Sequence, residues 1–259
     1  MRIIFEADLV THLNALGLRA GVNVVVHSRL LSFGRIEGGV SAVYRAIMSV
    51  IGETGTLVVP AYTLGIDPNA CFDFRATPSR GVGAFSEYVR MLPSSIRSGC
   101  PIHSHAAIGP HASVLNESDR TVSLGSGSDF DVMQRAGFEL LLLGCDFHEG
   151  ATFVHHVEAM IGVPYRSWID LPCRVTDSNG APVDIVVRYF GKAKDGNIVN
   201  DLRGVERQML TGGWATSAPI AGGNRSSILM PLDKLDRCVR DMIAADPYVL
   251  VRARNAVAS

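Results

Sequence analysis

The sequence predicts an α/β fold: a mostly parallel central sheet flanked by helices, with an antiparallel hairpin inserted late in the chain. Between Asn23 and Pro60 a β-branched strand, a glycine-bearing loop, an amphipathic helix and a second apolar strand follow in order. That order is a βαβ unit, and its two strands must run parallel. Leu140 to Leu143 is an unbroken leucine run stopped by Gly144, as expected of a strand buried on both faces. Further on, Asn179-Gly180 separates Cys173–Thr176 from Val183–Phe190, and an Asn-Gly pair between strand-like segments predicts a hairpin.

The elements can be justified in turn. Phe5 to Leu18 sets Leu9, Leu13 and Leu16 on one stripe, an amphipathic helix ended at Gly17. Asn23 to Val26 is a short strand that runs into His27-Ser28 and a loop holding Gly34, Gly38 and Gly39. A helix is predicted over Val40 to Ile51 with Val43, Ile47, Val50 and Ile51 inward, then a strand over Thr56 to Pro60. Residues 64 to 82 and 93 to 113 have no period and read as loops. Helices are predicted over Phe85 to Leu92, Asp129 to Ala136, Ala151 to Ile161, Val205 to Leu210 and Leu232 to Ala245. No repeat or linker divides the chain, so a single domain over residues 1–259 is expected, with the hairpin insertion at about 170–192.

Composition narrows the function. Hydrophobic residues at 47% and charged residues at 19% support a sizeable core. A net charge of −1 offers neither nucleic acid nor an anionic membrane an electrostatic partner. The five cysteines are scattered without a C-x-x-C pair, which predicts reduced thiols and a cytoplasmic location. No stretch reaches the roughly 20 apolar residues of a membrane helix, and the N-terminus lacks a signal-peptide core.

Chemistry-bearing residues fall in three stretches. On the helix after the leucine strand, Thr152, His155 and Glu158 recur every third residue, so the Glu158 carboxylate can orient the His155 imidazole. Their position, just past the carboxyl end of a central strand, is where open α/β sheets bind ligands. The loop from His27 to Gly39 lets backbone approach a ligand and offers a helix N-terminus to an anion, but it is neither a dinucleotide fingerprint nor a P-loop. The third stretch, Arg97 to His105, adds His103 and His105. Together with His155 and Glu158 these would supply a metal-dependent hydrolase, although no ligand spacing typical of zinc is present.

Taken together, these stretches resemble the aminoglycoside 3-N-acetyltransferase family and its antibiotic N-acetyltransferase fold. VVHSRLLSFGRIEGGVSAVYRAI is similar to that family's His-Ser-x-Leu and Gly-x-x-x-Gly-Gly stretch with its helix, and GTLVVPAYT to its second strand. RSGCPIHSHAAIGPHA is similar to its Arg-Ser-x-His-Pro signature; LGSGSDFDVM and LLLLG follow in order, and ATFVHHVEAMIGVPYR carries Thr-x-x-His-x-x-Glu. The resemblance implies a CoA-dependent N-acyltransferase that moves an acetyl group from acetyl-CoA to an amine, without a metal. His155 is then the general base and Glu158 its partner. Coenzyme contacts are expected from Ser28, Leu31, Ser32, Gly34, Arg35, Gly38 and Gly39, with Thr63 or Ser104 as donors to the thioester oxyanion. Substrate contacts are expected from Tyr62, Asp67, Asp129 and Asp146.

Two positions depart from the family pattern. Cys100 stands where a histidine precedes the proline, and Asp129 stands where a proline follows the serine. The acceptor is an aminoglycoside-type amine, associated with antibiotic resistance, or a related amino sugar of a biosynthetic pathway. Acidic residues available to hold a polycation are Asp67, Asp73, Glu87, Asp129, Asp146 and Glu149. A non-catalytic CoA-binding protein is the remaining alternative. The sequence allows a homodimer but does not fix the oligomeric state.

Overall fold

The computed structural model describes residues 3–63, 65, 70–177, 179–192, 197–221 and 225–254. Its centre is a seven-stranded sheet. In chain order the strands are β1 (Asn23–Ser28), β2 (Thr56–Pro60), β3 (Ile96–Arg97), β4 (His105–Ile108), β5 (Glu139–Leu143), then, after the hairpin strands β6 (Arg166–Thr176) and β7 (Pro182–Lys192), β8 (Thr216–Pro219) and β9 (Ser226–Pro231). Their order across the sheet is β8-β9-β5-β1-β2-β4-β3. Only the middle is parallel: β1 pairs with β2 through Val24 opposite Leu57, and with β5 through Val26 opposite Leu141. Both flanks run antiparallel. The α/β class therefore holds, but the sheet is mixed rather than mostly parallel. The connections β3–β4 and β8–β9 are too short for a crossover and make antiparallel pairs, while β4 and β9 meet β2 and β5 antiparallel even though helices lie between them in the chain.

Helices cover both faces. On one side α1 (Glu6–Ala15), α2 (Gly39–Ile51) and α3 (Ala84–Arg90) pack Leu9, Leu13, Ile47, Ile51 and Phe85 against Val24, Val26, Leu57, Leu141 and Leu143. Opposite them α4 (Asp129–Arg135), α5 (Phe153–Ile161), α6 (Arg203–Thr211) and α7 (Leu232–Ala245) bury Phe130, Met133, Val154, Val157, Leu235 and Val239 against Val25, Val58, Leu140 and Leu142. Neighbouring residues of one strand go to opposite cores, which is why β1 and β5 are apolar without alternation. The hairpin pairs along all of β6 and β7, and Asp177 Oδ1 accepts from the backbone N–H groups of Asn179 and Ala181 at its turn.

This arrangement positions the site. The carboxyl ends of β1 and β5 lie side by side, with His27 opposite Leu142 and Ser28 opposite Leu143. The loop leaving each strand therefore starts from the same edge. Arg29 N–H donates to the Leu143 carbonyl, and the Ser32 hydroxyl to the Gly144 carbonyl at 2.6 Å. The glycine loop and the segment leading into α5 are thus tied together at the strand ends.

Candidate active site

α5 begins after a short helical turn at Phe147–Gly150 and stops at Gly162, whose φ of +79° is a left-handed C-cap. Three residues apart on its length, His155 Nδ1 and Glu158 Oε2 are 2.6 Å from each other. Glu158 is fully buried and has two further partners just past the helix: Tyr165 donates its hydroxyl to Oε1 at 2.6 Å, and Arg166 Nε lies 2.8 Å from Oε2. Burial opposes ionisation of Glu158, yet the hydrogen bond from His155 and the Arg166 guanidinium hold its pKa below the usual range. A carboxylate only accepts, so His155 carries its hydrogen on Nδ1 toward Glu158, and the Arg166 Nη2 group 3.0 Å from that nitrogen is a close neighbour rather than a hydrogen-bond donor to it.

The other ring nitrogen is settled by Asn200. Its Oδ1 accepts from Arg166 Nη2 at 3.2 Å, which turns the amide nitrogen toward His155 Nε2, also at 3.2 Å. An amide N–H pointing at Nε2 requires a lone pair there. His155 is consequently a neutral imidazole with a bare Nε2, and burial lowers its pKa from the usual value despite Glu158. Its side chain keeps 21% exposure while Glu158 keeps 1%. The base is reachable; its partner is not.

Two cavities open beside the strand ends. One, of about 500 Å³, lies against the glycine loop and the start of α2 and includes Ser28, Leu31, Gly34, Gly39 and Gly83. Gly38 caps α2 with φ +79°, and no side chain caps the helix, leaving its first N–H groups unclaimed by one. The donor set suits an anionic, partly apolar group such as CoA: backbone N–H groups for phosphate and apolar walls for a pantetheine arm. A second cavity of about 360 Å³ shares Ser28, Arg29 and Gly83 with the first and reaches His27, Tyr62 and Thr152.

Of the expected coenzyme residues, Ser28, Leu31, Gly34 and Gly39 line the first cavity. Ser32 instead anchors the loop through Gly144, and Arg35 is exposed and pairs with Glu37. Thr63 and Ser104 are misplaced as oxyanion donors. Each is buried and spends its hydroxyl proton on a backbone carbonyl, of Pro101 and Ala61 respectively. Among expected substrate contacts, Tyr62 borders the second cavity and Asp146 caps the Phe147–Gly150 turn through Glu149 N–H. Asp129 is buried and held by Ser98 and His105, so it does not face solvent as a substrate contact. Asp67 lies outside the described residues.

Among the described residues these acidic side chains do not gather into an open cleft. Glu87 pairs with Arg90; Glu149 pairs with Arg29 and Arg225; Asp73 accepts the backbone N–H groups of Arg75 and Ala76. The histidines named for a metal have separate partners, Ser123 for His103 and Asp129 for His105. No three metal-binding side chains converge among the described residues. His156 meets Gln134 at 3.2 Å and packs against Phe153 and Phe130. Tyr165, Arg166 and Asn200 escaped notice as functional residues. Arg166 alone carried a signal, as a cation closing the His155 segment.

Comparison with known proteins places this geometry. A model of the aminoglycoside 3-N-acetyltransferase family matches residues 25–244. The chain belongs to that family. An aminoglycoside N(3')-acetyltransferase-like protein of Bacillus subtilis, YokD, is 32% identical over 69% of this chain and 70% of its own length. Aminoglycoside N(3)-acetyltransferase III of a Salmonella species is 33% identical, over 61% of each chain. With that enzyme the match thus spans less than two thirds of either chain. The fold is shared with a solved complex of AAC-IIIb with CoASH, at a TM-score of 0.81 and 22% identity over 94% of this chain and 97% of that one. Among the described residues no helix is long and apolar enough to cross a membrane.

Proposed function

We propose that the chain is a CoA-dependent N-acetyltransferase acting on the amino group of an aminoglycoside-type or related amino sugar, with His155 as general base. The observation that carries this reading is the proton-free Nε2 of the partly exposed His155, oriented by Glu158 on one side and by Arg166 through Asn200 on the other. Family membership supplies the reaction class, and the cavity at the glycine loop fits the coenzyme.

Acetyl-CoA supplies the acetyl group as a thioester. His155 Nε2 removes a proton from the attacking amine, a step general-base catalysis speeds by about 10²–10⁴-fold. Glu158 stabilises the imidazolium that results, and Tyr165 and Arg166 keep that carboxylate from turning away. Asn200 yields its place on Nε2 to the substrate N–H. When the amide has formed, His155 returns the proton to the departing sulfur.

His155→Ala should reduce acetyl transfer by at least ~10³-fold while coenzyme binding, followed by calorimetry, stays within about threefold. Unchanged turnover would sink the assignment. The acceptor divides into two classes. Pairing of Glu87 and Glu149 with arginines and a net charge of −1 favour an amino sugar less cationic than a resistance substrate. Thiol release measured with aminoglycosides and with simpler amino sugars side by side separates the two.

A further inference from the structure

Next to Tyr62 lies a second histidine–carboxylate pair that the reaction scheme above leaves unused. His105 and Asp129 are both buried, and His105 Nδ1 is 2.9 Å from Asp129 Oδ2. The same oxygen accepts the His105 backbone N–H at 3.0 Å and the Ser98 hydroxyl. An oxygen that collects three donors is a carboxylate acceptor, so His105 carries its hydrogen on Nδ1 and Nε2 is bare. The Tyr62 hydroxyl, 3.3 Å away, donates to Nε2. That leaves the phenol's lone pairs for its other side, which borders the cavity lined also by Ser28, Gly83 and Thr152. Thr152 precedes His155 by three residues and shares its face of the helix. Asp129 Oδ1 is buried without a hydrogen-bond partner among the described residues, so part of the carboxylate's charge is uncompensated.

The chemistry of the proposed reaction asks for such a device. An amine that arrives as an ammonium must lose two protons as the C–N bond forms and the C–S bond breaks. One ends on the sulfur, carried there by His155; the other has to be taken elsewhere. We propose that Tyr62, His105 and Asp129 take it. The ammonium gives its proton to the Tyr62 oxygen while Tyr62 passes its own to His105 Nε2, and the imidazolium forms against the Asp129 carboxylate. After the product departs, the proton retraces the path to solvent. Tyr62 is the catalytic residue of this line, His105 the proton acceptor behind it and Asp129 the positioning residue. The proposal rests on the acetyl-transfer reading.

Groups around the line do not blur its pH response. Those facing Tyr62 and His105 include His27 from β1, Cys100 and His103 from the loop before β4, and Asp129 from α4, with Arg29, Cys145 and Glu149 lining the cavity that Tyr62 borders. Burial and then the neighbouring imidazoles push His27 and His103 down to about 3, and burial lifts the Cys100 thiol to about 12. None of these three changes charge between roughly pH 6 and 9.

The test uses the full chain with acetyl-CoA and an accepted amine. Tyr62→Phe and Asp129→Asn should each lower kcat by roughly 10- to 100-fold at low pH, where the acceptor is an ammonium. The loss should shrink to within about threefold above the acceptor's own pKa, with the KM for acetyl-CoA unchanged. A separate readout needs no turnover: a downfield imidazole proton of His105 should persist in Tyr62→Phe and vanish in Asp129→Asn. A loss equal at every pH, or no loss in Tyr62→Phe, overturns the proposal. If Asp129→Asn fails to fold, Tyr62→Phe, which removes one oxygen, decides alone. An inactive wild type that releases no thiol with any amine overturns the acetyl-transfer reading and the proposal with it, whereas an active wild type with an unaffected Tyr62→Phe removes only the proposal.

Discussion

Glu158 has to stay ionised in a place where water cannot reach it. Ionising a buried carboxylate is costly, and here the cost is offset by three partners: His155, Tyr165 and Arg166. Removing the charge leaves Arg166 buried beside a neutral group. Glu158→Gln should therefore lower stability by about 3–5 kcal/mol, measured by urea unfolding, as expected when one partner of a buried pair is lost. It should also lower kcat, because an amide cannot stabilise the imidazolium as a carboxylate does. A stable variant with full activity would show that the carboxylate is ornamental. At this scale the His155–Glu158 contact was readable from a three-residue spacing. Asn200 was not, because it comes from a different strand and its role depends on which way Arg166 turns its amide.

At the scale of elements, the two loops at the carboxyl ends of β1 and β5 depend on glycines where backbones touch. Gly144 has φ +72°, and a Cβ there would meet Phe33 at 2.9 Å, the Arg29 carbonyl at 3.0 Å and Ser32 at 3.1 Å. Both the left-handed backbone and the close approach exclude a side chain. Gly144→Ala should cost about 1–3 kcal/mol and raise the KM for acetyl-CoA, since the displaced neighbours belong to the glycine loop. Thermal melting and steady-state kinetics check the two parts, and a variant with wild-type KM would detach β5 from the coenzyme site. Helices α2, α5 and α7 were legible from their apolar period. The strand β4 was not: it hides in a histidine- and serine-rich stretch and is recruited by antiparallel pairing with β2 and β3.

Across the whole molecule, the buried histidines govern the response to acid. Burial foremost pushes His27 and His103 down to about 3 and His156 to about 4. Their folded pKa values are depressed below the unfolded value near 6.5, so the unfolded chain binds more protons below that pH. Stability is therefore fully present above about pH 6.5 and is lost as pH falls toward 4, by up to about 1.4 kcal/mol per pH unit for each group. Depressed carboxylates such as Glu87 add to the loss in the same direction once pH falls below about 4.5. Urea midpoints should hold from pH 7.5 to about 6.5 and then fall steadily to pH 4.5. A flat profile would mean that the three imidazoles are solvated in the native state.

The three central strands, the hairpin and the amphipathic helices, the glycine loop and the spacing of Thr152, His155 and Glu158 were all present in the amino-acid sequence, because each depends on neighbours within one turn or one strand. Everything that joins distant segments was decided by packing. The antiparallel flanks of the sheet, the closing of Asn200 and Arg166 around His155, and the burial of Asp129 against His105 all follow from register between strands and from which face of a helix meets the core. Asp129 shows the difference most plainly. In the sequence it is one more acidic residue near a glycine turn, fit for a cationic substrate; in the fold it starts α4 with its side chain turned inward, where a histidine and a serine from the neighbouring loop and strand replace water.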